Sequence, residues 1–109
     1  MRPSLLQHRI TFQQRSIVKN PANGEDVVTW VDVATVWAQF DPVRGREFFS
    51  SRQNFAEQLA WFRVRYRPGL TTEMRILFKS KHYDIDSLVN VRGLSREMEI
   101  FAKEGLTDG

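Results

Sequence analysis

The stretch Leu59-Ala60-Trp61-Phe62-Arg63-Val64-Arg65-Tyr66-Arg67-Pro68-Gly69 decides the fold class. Ala60, Phe62, Val64 and Tyr66 fall on one side of an extended chain, and Leu59, Trp61, Arg63, Arg65 and Arg67 on the other. That two-residue period is the signature of a strand with a buried face. Pro68-Gly69 then turns the chain. Downstream, Thr71 to Met74 suits one turn capped by a threonine hydroxyl. Arg75 to Lys79 and His82 to Val91 read as two strands joined tightly at Ser80-Lys81. Gly93-Leu94-Ser95 is a turn, and Arg96 to Lys103 is a last strand with Met98, Ile100 and Ala102 on one face. Residues 104–109 are expected to fray.

Upstream, Arg9 to Gln13 alternates polar and apolar residues. Lys19 to Asp26 contains Pro21-Ala22-Asn23-Gly24, a turn composition in which Asn and Gly tolerate positive φ. From Val27 to Phe40 the chain is rich in the strand formers Val, Thr and Trp. It is too long for one flat strand, and the expected bend lies at Asp32-Val33-Ala34. Asp41-Pro42 ends it, because proline donates nothing to a sheet ladder. Residues 44–58 break the pattern. The spacing of Phe48, Phe49, Phe55 and Leu59 suits a short helix, weakened by Gly45 and by Ser50-Ser51. Six strands with short connections and one long loop or short-helix excursion make an all-β domain spanning residues 1–109. Closure into a small β-barrel would remove the sheet edges that invite aggregation.

Composition sets the bounds on function. The 109 residues are 41% hydrophobic and 27% charged, which is globular rather than disordered. The absence of cysteine excludes disulfides, thiolate zinc sites and a cysteine nucleophile. No apolar run approaches the roughly 18–20 residues of a membrane span. The two leucines near the start fall short of a signal peptide, so a soluble chain not exported by that route is expected. Twelve of the sixteen basic residues are arginine, and the net charge is only +3. Guanidinium forks suit carboxylates, phosphates and interfaces.

The candidate chemistry is sparse. Arg63, Arg65 and Arg67 stack three charges on one strand face and suit a phosphate backbone. Asp84 with Asp86, and Glu97 with Glu99, offer the alternative of ion pairs between strands or between subunits, and this reading is favoured. His8 and His82 lack metal-ligand spacing to any other ligand, so no metal site and no cofactor are expected. With no Gly-x-Ser-x-Gly elbow and no phosphate-binding glycine loop, an enzyme is not expected. Trp30, Trp37, Phe40, Trp61, Phe62 and Tyr66 lie on strands, where rings more often fill a core than stack on bases. Phe48 and Phe49 differ: adjacent, in the irregular segment, and flanked by Arg46 and Arg52, they suit anchors at an interface.

In order along the chain, several segments resemble the bacteriophage head–tail adaptor or head-closure (stopper) proteins. They are His8-Arg9-Ile10-Thr11, Thr29-Trp30, Val36-Trp37-Ala38, Gly45-Arg46-Glu47-Phe48-Phe49, Arg65-Tyr66-Arg67-Pro68-Gly69, Met74-Arg75-Ile76, Tyr83-Asp84-Ile85 and Arg96-Glu97. The set departs from the family pattern in having no glycine in Lys81-His82-Tyr83 and no cysteine in the last strand. The resemblance implies a small β-barrel subunit of a homo-oligomeric ring beneath the capsid portal. It implies portal or adaptor ring proteins and tail proteins as partners, non-specific contact with packaged double-stranded DNA, and a place in the virion after assembly in the host cytoplasm. The excursion then supplies ring contacts or reaches the channel, through Arg44, Arg46, Glu47, Phe48, Phe49, Arg52 and Phe55. A charge of +3 suits a monomer that stays soluble until it meets its template. The alternative is a small barrel, like the oligonucleotide-binding folds, that binds single-stranded nucleic acid through Arg63, Arg65, Arg67 and exposed rings.

Overall fold

Six antiparallel strands form the chain's framework in a computed structural model, which describes residues 6–42 and 59–105. They are β1 (His8–Lys19), β2 (Asp26–Asp41), β3 (Leu59–Arg65), β4 (Arg75–Phe78), β5 (Lys81–Asn90) and β6 (Glu97–Glu104). Their spatial order is β1-β2-β3-β6-β5-β4, and β4 pairs back onto β1 to close the sheet on itself. The all-β fold expected from the alternation is therefore the one observed. The expected excursion, residues 44–58, lies outside the described residues.

The inward-facing positions of all six strands supply the core. Ile10, Phe12, Ala60, Phe62, Ile76, Ile100 and Ala102 are fully buried there, with Val64, Met98 and Ile85 beside them. Phe62 lies in its aromatic part. Its ring meets Phe78 edge-on at 5.6 Å and Tyr83 at 5.5 Å, and Phe40 lies tilted at 5.3 Å. These are the separations aromatic pairs prefer.

Two irregularities shape the sheet. Phe12 pairs with Ala34 but Gln13 pairs with Asp32, so Val33 is an extra residue on β2. This bulge falls at the bend expected from strand length. On β5, Ile85 pairs with Ala102 and Ser87 with Phe101, so Asp86 is bulged out. Asp84 and Asp86 therefore do not continue one regular face.

The sequence reading needs three further corrections. The β4–β5 turn is Lys79–Ser80, both at positive φ (50° and 65°), and Lys81 already belongs to β5. Two positive φ values match the right-handed twist of the flanking strands, so the hairpin holds this turn without glycine. β3 ends at Arg65, two residues short of Arg67. At the C-terminal end, β6 includes Glu104, and Gly105 N–H donates to His82 C=O at 2.7 Å, so the last strand runs one residue past Lys103.

Tyr83 makes the fold sensitive to alkali. Burial raises its phenol above the ordinary value, and the Glu104 carboxylate adds to the shift. The fold thus favours the neutral phenol. That stability is complete below the unfolded value of about 10 and is lost as pH rises through the higher folded value. Tyr83→Phe is expected to lose less stability than the parent between about pH 9 and about pH 11 in chemical denaturation. Equal losses in the two proteins would remove Tyr83 as the cause.

Candidate functional site

The outer side of β3 faces β6. Arg63 Nη2 donates to Glu97 Oε1 at 3.2 Å, and Trp61 Nε1 donates to Glu99 Oε2 at 2.7 Å. Cross-strand register explains both contacts, since Arg63 lies opposite Glu99, and Arg65 opposite Glu97. The structure thus brings Arg63 and Glu97 into an ion pair within the subunit, of a kind that contributes about 0.2–1 kcal/mol. Glu99 is engaged by an indole instead. Arg65 and Arg67 are exposed and form no ion pair among the described residues. The aspartates are not near these arginines. Asp84 lies opposite Arg75 on one side and Lys103 on the other, and Asp86 accepts from Ser87 Oγ at 2.8 Å.

The tryptophans correct the expectation that strand rings fill the core. Trp37 sits between the inward-facing Val36 and Ala38, so its ring points outward and is half exposed. The Arg9 guanidinium lies 4.8 Å from its centroid. Trp61 is buried, but on the outer side of β3 and outside the core cluster. Trp30 carries the Arg75 guanidinium over its face at 4.1 Å.

Beside Trp37, strands β2 and β3 separate. They pair only through Gln39–Arg63, Phe40–Phe62 and Asp41–Trp61. Beyond that point a groove of about 630 Å³ opens, lined by Leu6, Val36, Trp37, Arg65, Tyr66 and Arg67. Its floor is apolar and aromatic, and the charged residues among its described lining, Arg65 and Arg67, are both basic.

Sequence reading missed Arg75. Though charged, it is only 5% exposed. Its Nε donates to Gln13 Oε1 at 2.8 Å, and Gln13 Nε2 donates to Asp32 Oδ1 at 2.8 Å. Burial lowers the guanidinium from its ordinary value, while the Asp84 charge works against that shift. This chain of contacts ties β4 and β1 to β2 beside the Val33 bulge. Gln-x-x at the end of a short alternating run gave no signal for it.

Among the described residues no group of three His, Cys, Asp or Glu side chains is placed to hold a metal ion. No described helix is long and apolar enough to cross a membrane. The segment holding Arg44, Arg46, Glu47, Phe48, Phe49, Arg52 and Phe55 lies outside the described residues.

Comparison with known proteins gives a consistent result. A family model described as phage head completion protein matches residues 1–105. Among solved structures, the chain is similar to protein SF1141 from Shigella flexneri 2a, with 26% identity and a TM-score of 0.73. That match covers 97% of this chain and 98% of the other. A chain from the virion of a native gene transfer agent particle shares the fold at 17% identity and a TM-score of 0.60, covering 94% of this chain and 97% of that one. No curated protein matches.

Proposed function

This chain belongs to the phage head completion protein family, and from that membership we propose that it is a subunit of the connector ring closing the DNA-filled capsid below the portal. The family is one of structural virion proteins rather than enzymes. The finer reading has the ring provide the tail attachment site, with portal or adaptor proteins above, tail proteins below and packaged DNA within. Assembly takes place in the host cytoplasm. The observation that carries this reading is the family match along nearly the whole chain. The virion origin of a protein with the same fold supports it. So do Arg65 and Arg67, which have no ion-pair partner among the described residues, beside an apolar groove, since an assembly subunit needs a surface that its own fold leaves unsatisfied.

Residues 44–58 form the ring-interface or channel segment in this reading. Phe48 and Phe49 pack between neighbouring subunits, and Arg44, Arg46 and Arg52 face a partner or the DNA. Contact with DNA sliding past is non-specific and salt-sensitive.

The test is electron microscopy of particles made after deletion of the gene from its source, complemented in parallel by the parent protein and by Phe48→Ala/Phe49→Ala. Deletion is expected to give free tails and tailless heads that leak DNA. The parent restores joined particles, and the double variant does not. Normal tailed particles after deletion would overturn the role. Full restoration by the double variant would overturn only the part assigned to the two phenylalanines. The oligonucleotide-binding reading predicts something different: salt-sensitive binding of short single strands by the free monomer, through Arg65, Arg67 and Trp37.

A further inference from the structure

Beyond the barrel, β1 and β2 continue as a two-stranded arm. β1 pairs with β4 only at Thr11, Phe12 and Gln13, and β2 meets β3 only from Gln39 onward. Among the described residues, the ribbon from Gln14–Val31 to Lys19–Asp26 therefore has both edges unpaired. Isolated two-stranded ribbons are marginal in water, and exposed edges are normally blunted.

The two faces of the arm differ. Register puts Arg15, Ile17, Lys19, Asp26, Val28 and Trp30 on the outer face. The other face continues the core-lining side of the sheet into solvent and consists of Gln14, Ser16, Val18, Val27, Thr29 and Val31. It carries no charge, and its valines are 50%, 41% and 53% exposed in chain order. At the far end Lys19 lies opposite Asp26, and Glu25 leaves the end with a net negative charge.

These features match the groove. The arm face and the groove are both apolar, and Glu25 at the arm end complements Arg65 and Arg67 in the groove lining. The arm cannot reach the groove of its own chain. Asp26 and Trp37 lie on one extended strand, and eleven residues at a rise of about 3.3 Å hold them roughly 36 Å apart. The occupant is therefore another copy.

We propose that the uncharged face of the β1–β2 arm seats in the Leu6/Val36/Trp37/Tyr66 groove of the next copy, with Glu25, next after Val27 on that face, towards its Arg65 and Arg67. Such a contact joins two different patches, so it repeats head to tail and closes into a ring where the rotation permits. The inference rests on the ring reading above and supplies its contact between barrels.

The natural absence of cysteine makes the test clean. Ala22 at the arm end and Thr35 beside Trp37 are both exposed. Ala22→Cys, Thr35→Cys and the double variant are each expressed in the source lacking the gene. Assembled particles are treated with a short bismaleimide and resolved on a denaturing gel. Thermal melting of the purified variants checks that each keeps the parent fold. The double variant is expected to give a ladder of dimer and higher species, while each single variant stays monomeric. Dimers from Ala22→Cys alone would mean arm-to-arm pairing and overturn the proposal. No cross-links in joined, DNA-filled particles containing the double variant would also overturn it, leaving the ring reading intact. Joined particles that lack the protein altogether would overturn the ring reading itself, and the arm contact with it.

Discussion

Phe62→Ala is expected to destabilise the domain by about 3–5 kcal/mol, the cost of truncating a buried aromatic side chain and leaving a cavity. The position has no slack. Phe62 is fully buried, and its ring touches Phe40, Phe78 and Tyr83 at 5.3–5.6 Å. Its backbone is also central, because Phe62 pairs with Phe40 on β2 and with Ile100 on β6. Small domains have about 5–15 kcal/mol of total stability, so this loss removes a large share of it. A denaturant midpoint measured at unchanged slope checks the prediction. A loss below about 1 kcal/mol would mean that the neighbouring rings collapse into the space.

Arg75→Met is expected to cost about 2–4 kcal/mol, from leaving the buried Gln13 oxygen without its Arg75 donor and from losing the cation over Trp30. Methionine keeps most of the apolar stem, so the loss reports the polar contacts. The pair Gln13→Leu/Arg75→Met should recover most of the stability, because replacing both partners of a buried hydrogen bond by apolar groups is nearly neutral. Asp32 is exposed and returns to water at little cost. Denaturation of the single and double variants gives the coupling directly. If the double variant were the less stable of the two, the network would not be the source of the effect.

How far the sequence carries can be judged from these same elements. Alternation in Leu59 to Arg67 and in Met98-Ile100-Ala102 named strands and their inner faces, because one buried side imposes a strict period of two. The bend in β2 was legible as excess strand length, and the bulge at Val33 is its physical form. The destination of Trp37 was not legible, because a ring suits either face and only the register with β1 sorts inside from outside. Alternation put Trp61 on the arginine side of β3 but not its burial there against Glu99. Asp84 and Asp86 misled because a single bulged residue cancels the period that pairs them. The valines of the arm were legible as strand formers but not as exposed. Val27-Val28 puts an apolar residue on each face, so it gives no sign that the barrel ends before them. Arg75 was hidden because a strand's first residue is ordinarily solvated.

The closure of the sheet also governs how this chain comes to be folded. β1 is completed by β4, with Thr11 meeting Leu77, and β3 is completed by β6, with Leu59 meeting Lys103. Both pairings join segments made far apart in time on the ribosome. Among the described residues of the first half of the chain, the β1–β2 hairpin is the local pairing, and hairpins form in about 1–10 μs. Alone it is only marginally stable, and the seam between β1 and β4 shuts only after the second half has been synthesised. Contacts this distant in sequence slow folding to roughly the millisecond-to-second range. A nascent chain stalled before β4 exposes Ile10 and Phe12, which the finished barrel buries completely. A subunit reaches its assembly partners with a sealed interior only if its synthesis runs to the end.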